Sequence, residues 1–131
     1  MRVYVTYAIT ASKEDYTDVM LAVKGALESL GHQVRVAKPL EDPNQIFELD
    51  MDELKSSHLL VAEVSEPSHG VGVEIASSWY NHYPCICLHK KGAKVSRFVR
   101  GFPNAIFVEY KNAADVRKRL GDIVKEVMGN K

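Results

Sequence analysis

HLLVAEVSEPSHGVGVEIASSW, residues 58–79, decides the fold. Its first seven residues are a near-continuous apolar run, the pattern of a strand buried on both faces of a parallel sheet. EPSHGVG, residues 66–72, then reads as a turn and a helix start. Pro67 fixes the turn, and Gly70 and Gly72 let backbone come close to a ligand. From there Val71, Ile75, Ala76 and Trp79 recur on one side of a helix predicted over 71–82.

Upstream, RVYVTY (2–7) is β-branched and aromatic, a first strand. Residues 13–30 carry Tyr16, Val19, Met20, Val23, Leu27 and Leu30 at helical spacing, with Ser12 as N-cap and Gly31 as the stop. QVRVA (33–37) is a short second strand, and Pro43 opens a helix running to about Ser57. Downstream, PCICL (84–88) is the fourth strand, 89–101 a polar, basic loop with a short helix, and AIFVEY (105–110) the fifth strand. A helix over 113–128 closes the chain, with Val116, Leu120, Ile123, Val124 and Val127 on one face. Alternating strands and helices imply right-handed crossovers, hence α/β: a three-layer αβα sandwich with a five-stranded parallel sheet, flavodoxin-like or Rossmann-like. One domain spans 1–131, with no repeat or linker. Such folds bind ligands at the carboxyl edge of the sheet, in the loops after Tyr7, Ala37, Val64, Leu88 and Tyr110.

Composition narrows the function. With 46% hydrophobic and 26% charged residues in 131, the chain is globular rather than disordered. Seventeen basic residues balance seventeen acidic ones, which argues against a nucleic-acid or general polyanion binder. The longest apolar run, 19–23, is far too short to span a membrane, and MRVYVTYAITAS is too polar for a signal peptide. These features predict a soluble, cytoplasmic protein with no membrane partner. Cys85 and Cys87 share one face of a strand and read as reduced core thiols. The five histidines show no metal-ligand spacing, and only His69 lies in the glycine-bearing loop, so no metal or other cofactor is expected.

Four residues on the predicted edge could carry chemistry. Ser68 and the first N–H groups of the helix after it could hold an anion; equally, Ser68 could be a plain N-cap. Glu74 either complements the helix dipole or does chemistry. Asp50 is three residues after Phe47 and four before Leu54, which with Met51 form the predicted inward stripe of the second helix. It is thus either a half-buried acid with a raised pKa, suited to giving a proton, or a solvated surface acid. Tyr4 either packs in the core or hydrogen-bonds a nearby carboxylate. Glu63 ends the third strand where a receiver domain needs a phosphorylatable Asp, and Glu cannot replace it.

DMDELKSSHLLVAEVSEPSHGVGVEIASSW (50–79), with VYVTYAIT (3–10) as a second anchor, resembles the nucleoside 2-deoxyribosyltransferase superfamily. It looks most like the branch of 2′-deoxynucleoside 5′-monophosphate N-glycosidases. The specific part runs over 50–101 and centres on PSxGVGxE. The resemblance implies a retaining glycosidase acting on a small nucleotide, with Glu74 as nucleophile, Asp50 delivering a proton to the base and Tyr4 orienting Glu74. It implies hydrolysis to free base and (deoxy)ribose 5-phosphate; a base-exchanging transferase and a non-catalytic nucleotide-binding module are the alternatives. The transferases carry Asp where Ser68 stands, and a serine at a helix N-terminus suits a 5′-phosphate. Ser96, in KVSRFVRG, matches a phosphate-contacting serine supplied by the neighbouring subunit, implying a homodimer with shared active sites. The glycosidases have Gly-Ser-Ile-Arg after the first strand; here the stretch is Tyr7-Ala8-Ile9-Thr10, so Tyr7 and Ile9 would line the substrate and Thr10 brings no charge. Lys90, Lys91, Lys94, Arg97 and Arg100 are the basic residues nearby in sequence that could stand in.

Overall fold

A computed structural model describes residues 1–10 and 13–129. The elements run β1 (Arg2–Thr6), α1 (Thr17–Glu28), β2 (Gln33–Val36), α2 (Pro43–Ser56), β3 (Leu59–Glu63), α3 (His69–Tyr80), β4 (Cys85–Lys90), α4 (Arg97–Arg100), β5 (Ala105–Tyr110) and α5 (Ala113–Gly129). All the strands pair in parallel, in the order β2-β1-β3-β4-β5. This is the flavodoxin-like order of the expected α/β sandwich, and the strand order reverses between β1 and β3.

Strand alternation sorts the side chains into two cores. Val3, Val5, Leu59, Val61, Ile86 and Leu88 pack with Val23, Leu27, Val116, Leu120 and Val124 of α1 and α5. Tyr4, Leu60, Ala62, Cys85 and Cys87 face the other way, toward Leu54 of α2 and Val71 and Ile75 of α3. Burying one such aliphatic side chain contributes about 1.5–3 kcal/mol. Both thiols are buried and free, with their sulfurs 3.6 Å apart. Gly31 stops α1 as expected. At φ +88° it sits where the chain reverses, donating to Glu28 O while His32 N reaches Leu27 O at 3.2 Å, a Schellman closure.

Three expectations shift. α1 starts at Thr17 rather than at residue 13, and Ser12 lies outside the described residues. The Asp15 carboxylate takes both the Thr17 N–H and hydroxyl, at 2.9 and 2.5 Å, and the buried Tyr16 donates to Glu66 at 2.7 Å. These contacts hold the preceding segment as a loop. Phe47 is not on an inward stripe: it is 64% exposed while Leu54 is fully buried. Only the C-terminal end of α2 presses on the sheet, and its first turns overhang the edge. Trp79, expected inside, is 44% exposed and packs edge-on to Tyr80 and Phe102, with ring centroids 5.1 and 6.5 Å apart.

Candidate active site

The overhang of α2 creates a cavity of about 400 Å³ beside the reversal point. That is within the usual size of small-molecule sites. Its floor is the end of β1, with Thr6, and the loop after it, with Tyr7, Ile9 and Thr10. One wall is α2 with Phe47, Asp50 and Met51; the other is the start of α3 with Ser68, Gly70 and Glu74. Lys38, just after β2, is the basic residue lining it among the described residues.

Period-two geometry puts Tyr4 and Thr6 on one face of β1, aimed at α2 and α3. Each takes a carboxylate. The Tyr4 hydroxyl donates to Asp50 Oδ1 at 3.1 Å, and the Thr6 hydroxyl donates to Glu74 Oε1 at 2.7 Å. Glu74 is only 6% exposed although it lies on the cavity wall. Burial pushes its carboxyl up to about 7; the Thr6 bond opposes this, the charge of Asp50 adds to it, and the Tyr4 hydroxyl opposes it. Burial also raises Asp50, against the Tyr4 hydrogen bond and with help from the charge of Glu53. Tyr4 is driven well above the usual phenol range by burial, then by the charges of Glu74 and Asp50, so it stays a donor. Two carboxyls with raised pKa values facing a cavity can divide the roles of nucleophile and proton donor.

Ser68 caps α3: its side chain accepts from Val71 N–H at 3.3 Å. It lines the cavity as well, so the two expectations for it coexist. The first N–H groups of a helix have no partner within the helix, and here they lie at the cavity rim. Tyr7, Ile9, Asp50, Ser68, Gly70 and Glu74 thus come together, with Tyr4 behind Asp50. Gly72 and Ser96 do not join them within one chain. Both line an adjoining apolar groove between α3 and α4, which meets the cavity at Ser68, Val71 and Val73 and where Ser96 caps α4. His69 lies in that groove as well. Thr6 escaped the sequence reading; the signal was its position two residues after Tyr4, on the same strand face.

The loop between β3 and α3 is fastened from the far side of the sheet. Glu63, 2% exposed, accepts from Ser65 N–H at 2.6 Å, from the Ser65 hydroxyl at 2.8 Å, and from the Tyr110 hydroxyl. Lys90 N–H donates in turn to the Ser65 oxygen at 2.8 Å.

No protein-family profile matches the chain. Similar proteins bear the curated name "Putative 2'-deoxynucleoside 5'-phosphate N-hydrolase 1". One from Methanococcoides burtonii is 38% identical over 69 residues, 53% of this chain and 57% of that protein. One from Thermofilum pendens is 29% identical over 137 residues, 95% of each chain. One from Nematostella vectensis is 32% identical over 103 residues, 75% of this chain and 68% of that protein. The chain spans little more than half the length of the Methanococcoides relative, at 57%, and of one from Methanosarcina barkeri, at 52%. Among solved structures, the CMP N-glycosidase of Clostridium botulinum superposes with TM-score 0.71 at 22% identity, covering 92% of this chain and 98% of that one. A 2-deoxyribosyltransferase from Bacillus psychrosaccharolyticus gives TM-score 0.65 at 16% identity, covering 89% and 90%. These two likenesses are likenesses of fold.

The sheet order, the paired carboxyls at its reversal point and these relatives define a member of the nucleoside 2-deoxyribosyltransferase superfamily. Within it, the chain belongs to the 2′-deoxynucleoside 5′-phosphate N-hydrolase family.

Proposed function

We propose that this chain hydrolyses the N-glycosidic bond of a (deoxy)nucleoside 5′-monophosphate, giving free base and (deoxy)ribose 5-phosphate through a covalent glycosyl-enzyme. The observation that carries the reading is the pairing of a buried Glu74 and a partly buried Asp50 across one cavity, each held by a hydroxyl of β1. A carboxylate oxygen of Glu74 attacks the anomeric carbon as the bond to the base nitrogen breaks. The electron pair leaves with the base, and Asp50 gives it a proton. Water, losing its proton to Asp50, then attacks the same carbon and frees Glu74.

The 5′-phosphate would lie at the start of α3, against Ser68 and the backbone of Gly70. Lys38 brings positive charge to the cavity, where Thr10 brings none. Tyr7 and Ile9 would wall the sugar and base. The reading includes a homodimer in which Ser96 of the partner subunit completes the phosphate site. Val73, Trp79, Tyr80 and Phe98, on α3 and α4, are exposed apolar side chains that a partner subunit could cover. It also includes a cytoplasmic location, in keeping with the two unbridged thiols.

The test is incubation with ribo- and deoxynucleoside 5′-monophosphates and the matching nucleosides, with free base measured by chromatography. Base release from monophosphates, lost in Glu74→Ala, is the expected result. Exchange of bases on a nucleoside, without hydrolysis of monophosphates, would make the protein a transferase. Ligand binding with neither reaction would make it a binding module.

A further inference from the structure

We propose that Thr6 positions Glu74: its hydroxyl holds one carboxylate oxygen and leaves the other for the attack. This rests on the reading of Glu74 as nucleophile. Three observations lead to it. Thr6 ends β1 and is 1% exposed, so its hydroxyl is largely shielded from water. A β-branched side chain on a central strand is stiff at χ1, so the hydroxyl has a fixed direction. That direction is Glu74 Oε1, 2.7 Å away, a charge-assisted bond when the carboxyl is ionised. The Tyr4 hydroxyl donates to Asp50 Oδ1 at 3.1 Å and also eases the ionisation of Glu74, so Thr6, through its 2.7 Å bond, acts beside Tyr4 in orienting Glu74.

The chemistry follows from which oxygen is held. Oε2 forms the bond to the anomeric carbon as the base leaves. Oε1 becomes the carbonyl oxygen of the glycosyl ester and keeps the Thr6 hydrogen bond. When water displaces the carboxylate, negative charge returns to Glu74, and the Thr6 donor stabilises it as a leaving group. Thr6 keeps its proton throughout, so it acts through Glu74 and not on the substrate.

The variants are Thr6→Val, which matches the volume without the donor, and Thr6→Ser, which keeps the donor. In Thr6→Val, kcat should fall about tenfold to a hundredfold, the worth of a hydrogen bond to a charged group. KM should stay within about twofold, because the contact is not made to substrate. The acid limb of the pH–rate profile should move up by about one unit, since an ionised Glu74 has lost its donor. Thr6→Ser should restore most of both. An unmoved acid limb in Thr6→Val, or a Thr6→Ser no better than Thr6→Val, would overturn the proposal. A carbon-13 titration of the Glu74 carboxyl, assigned against Glu74→Gln, reads the same contact without turnover. A titration midpoint that rises in Thr6→Val supports the contact; one that stays put refutes it. Absence of base release by the natural protein would instead remove the proposed reaction and leave that titration interpretable.

Discussion

Tyr4 donates its phenolic hydrogen to Asp50 Oδ1 across 3.1 Å, tying β1 to α2 over 46 residues of chain. The acid that would protonate the departing base is therefore aimed by a side chain that itself stays neutral, its own ionisation suppressed by burial and two carboxylates. Asp50→Asn should lower kcat/KM, which reports the step in which the base departs, by about 10²–10⁴-fold on ordinary monophosphates. On an N7-methylated purine nucleotide, whose base departs without a proton, kcat/KM should fall by less than about tenfold, although kcat can still fall because Asp50 also serves the water. Parallel kcat/KM measurements on the two substrates check this; equal losses on both would take proton donation away from Asp50.

The raised pKa of Glu74 has two measurable signs. A nucleophilic carboxylate must be ionised, so kcat/KM should climb with pH through about 7. The same shift bears on stability. From 4.5, the carboxyl's ordinary value, to about 7, the folded protein keeps a proton that the unfolded chain has lost. Stability therefore falls as pH rises through that window and is flat above it. Glu74→Gln removes the buried charge, so it should gain up to ~3 kcal/mol over the natural protein at pH 8 and close to nothing at pH 4. Urea melts at the two pH values check the difference, and a loss of stability at pH 8 would contradict it.

Ser68→Asp separates binding of phosphate from integrity of the helix. Aspartate caps as well as serine, so α3 should stay folded. Its charge would repel a 5′-phosphate at the cavity rim. KM for monophosphates should rise by about tenfold or more, and binding of the matching nucleoside should not weaken. Isothermal titration with the two ligands decides it; equal effects on both would place the phosphate elsewhere.

Phe98→Asp tests the apolar surface. Phe98 is 84% exposed, so the substitution should leave the fold intact, as a circular dichroism melt would verify. Light scattering should find the natural chain as a dimer and the variant as a monomer with reduced turnover. A natural chain that runs as a monomer would end the shared-site reading.

Much of this was legible in residue patterns because the pattern and the packing obey the same period. The near-continuous apolar run of 58–64 became the fully buried β3 over Leu59–Glu63, and AIFVEY became β5 with the expected bounds. Gly31 stopped α1 because a left-handed residue is what a Schellman closure needs. What failed to show was set by side-chain contacts, most of them distant. At the start of α1, Asp15 takes the Thr17 N–H two residues on, and Tyr16 reaches Glu66, 50 residues away. Phe47 has core-like spacing, but its half of α2 has no sheet beneath it. For Glu74, position near a helix start suggests a surface acid; its burial comes from the way α3 lies on β3 and β4 and turns Glu74 toward Thr6 of β1, which no local pattern records. Thr6 was hidden for the same reason, since its partner lies 68 residues away.

The Glu63–Ser65–Lys90 fastening has a thermodynamic consequence for ligand capture. A loop already tied to the sheet by bonds of 2.6 and 2.8 Å has little conformational freedom left to surrender when an anion arrives. Capture at the start of α3 would then be a rigid, enthalpy-led event with a small ordering cost, and cutting the tether would show as an entropic penalty with the anion's contacts unchanged.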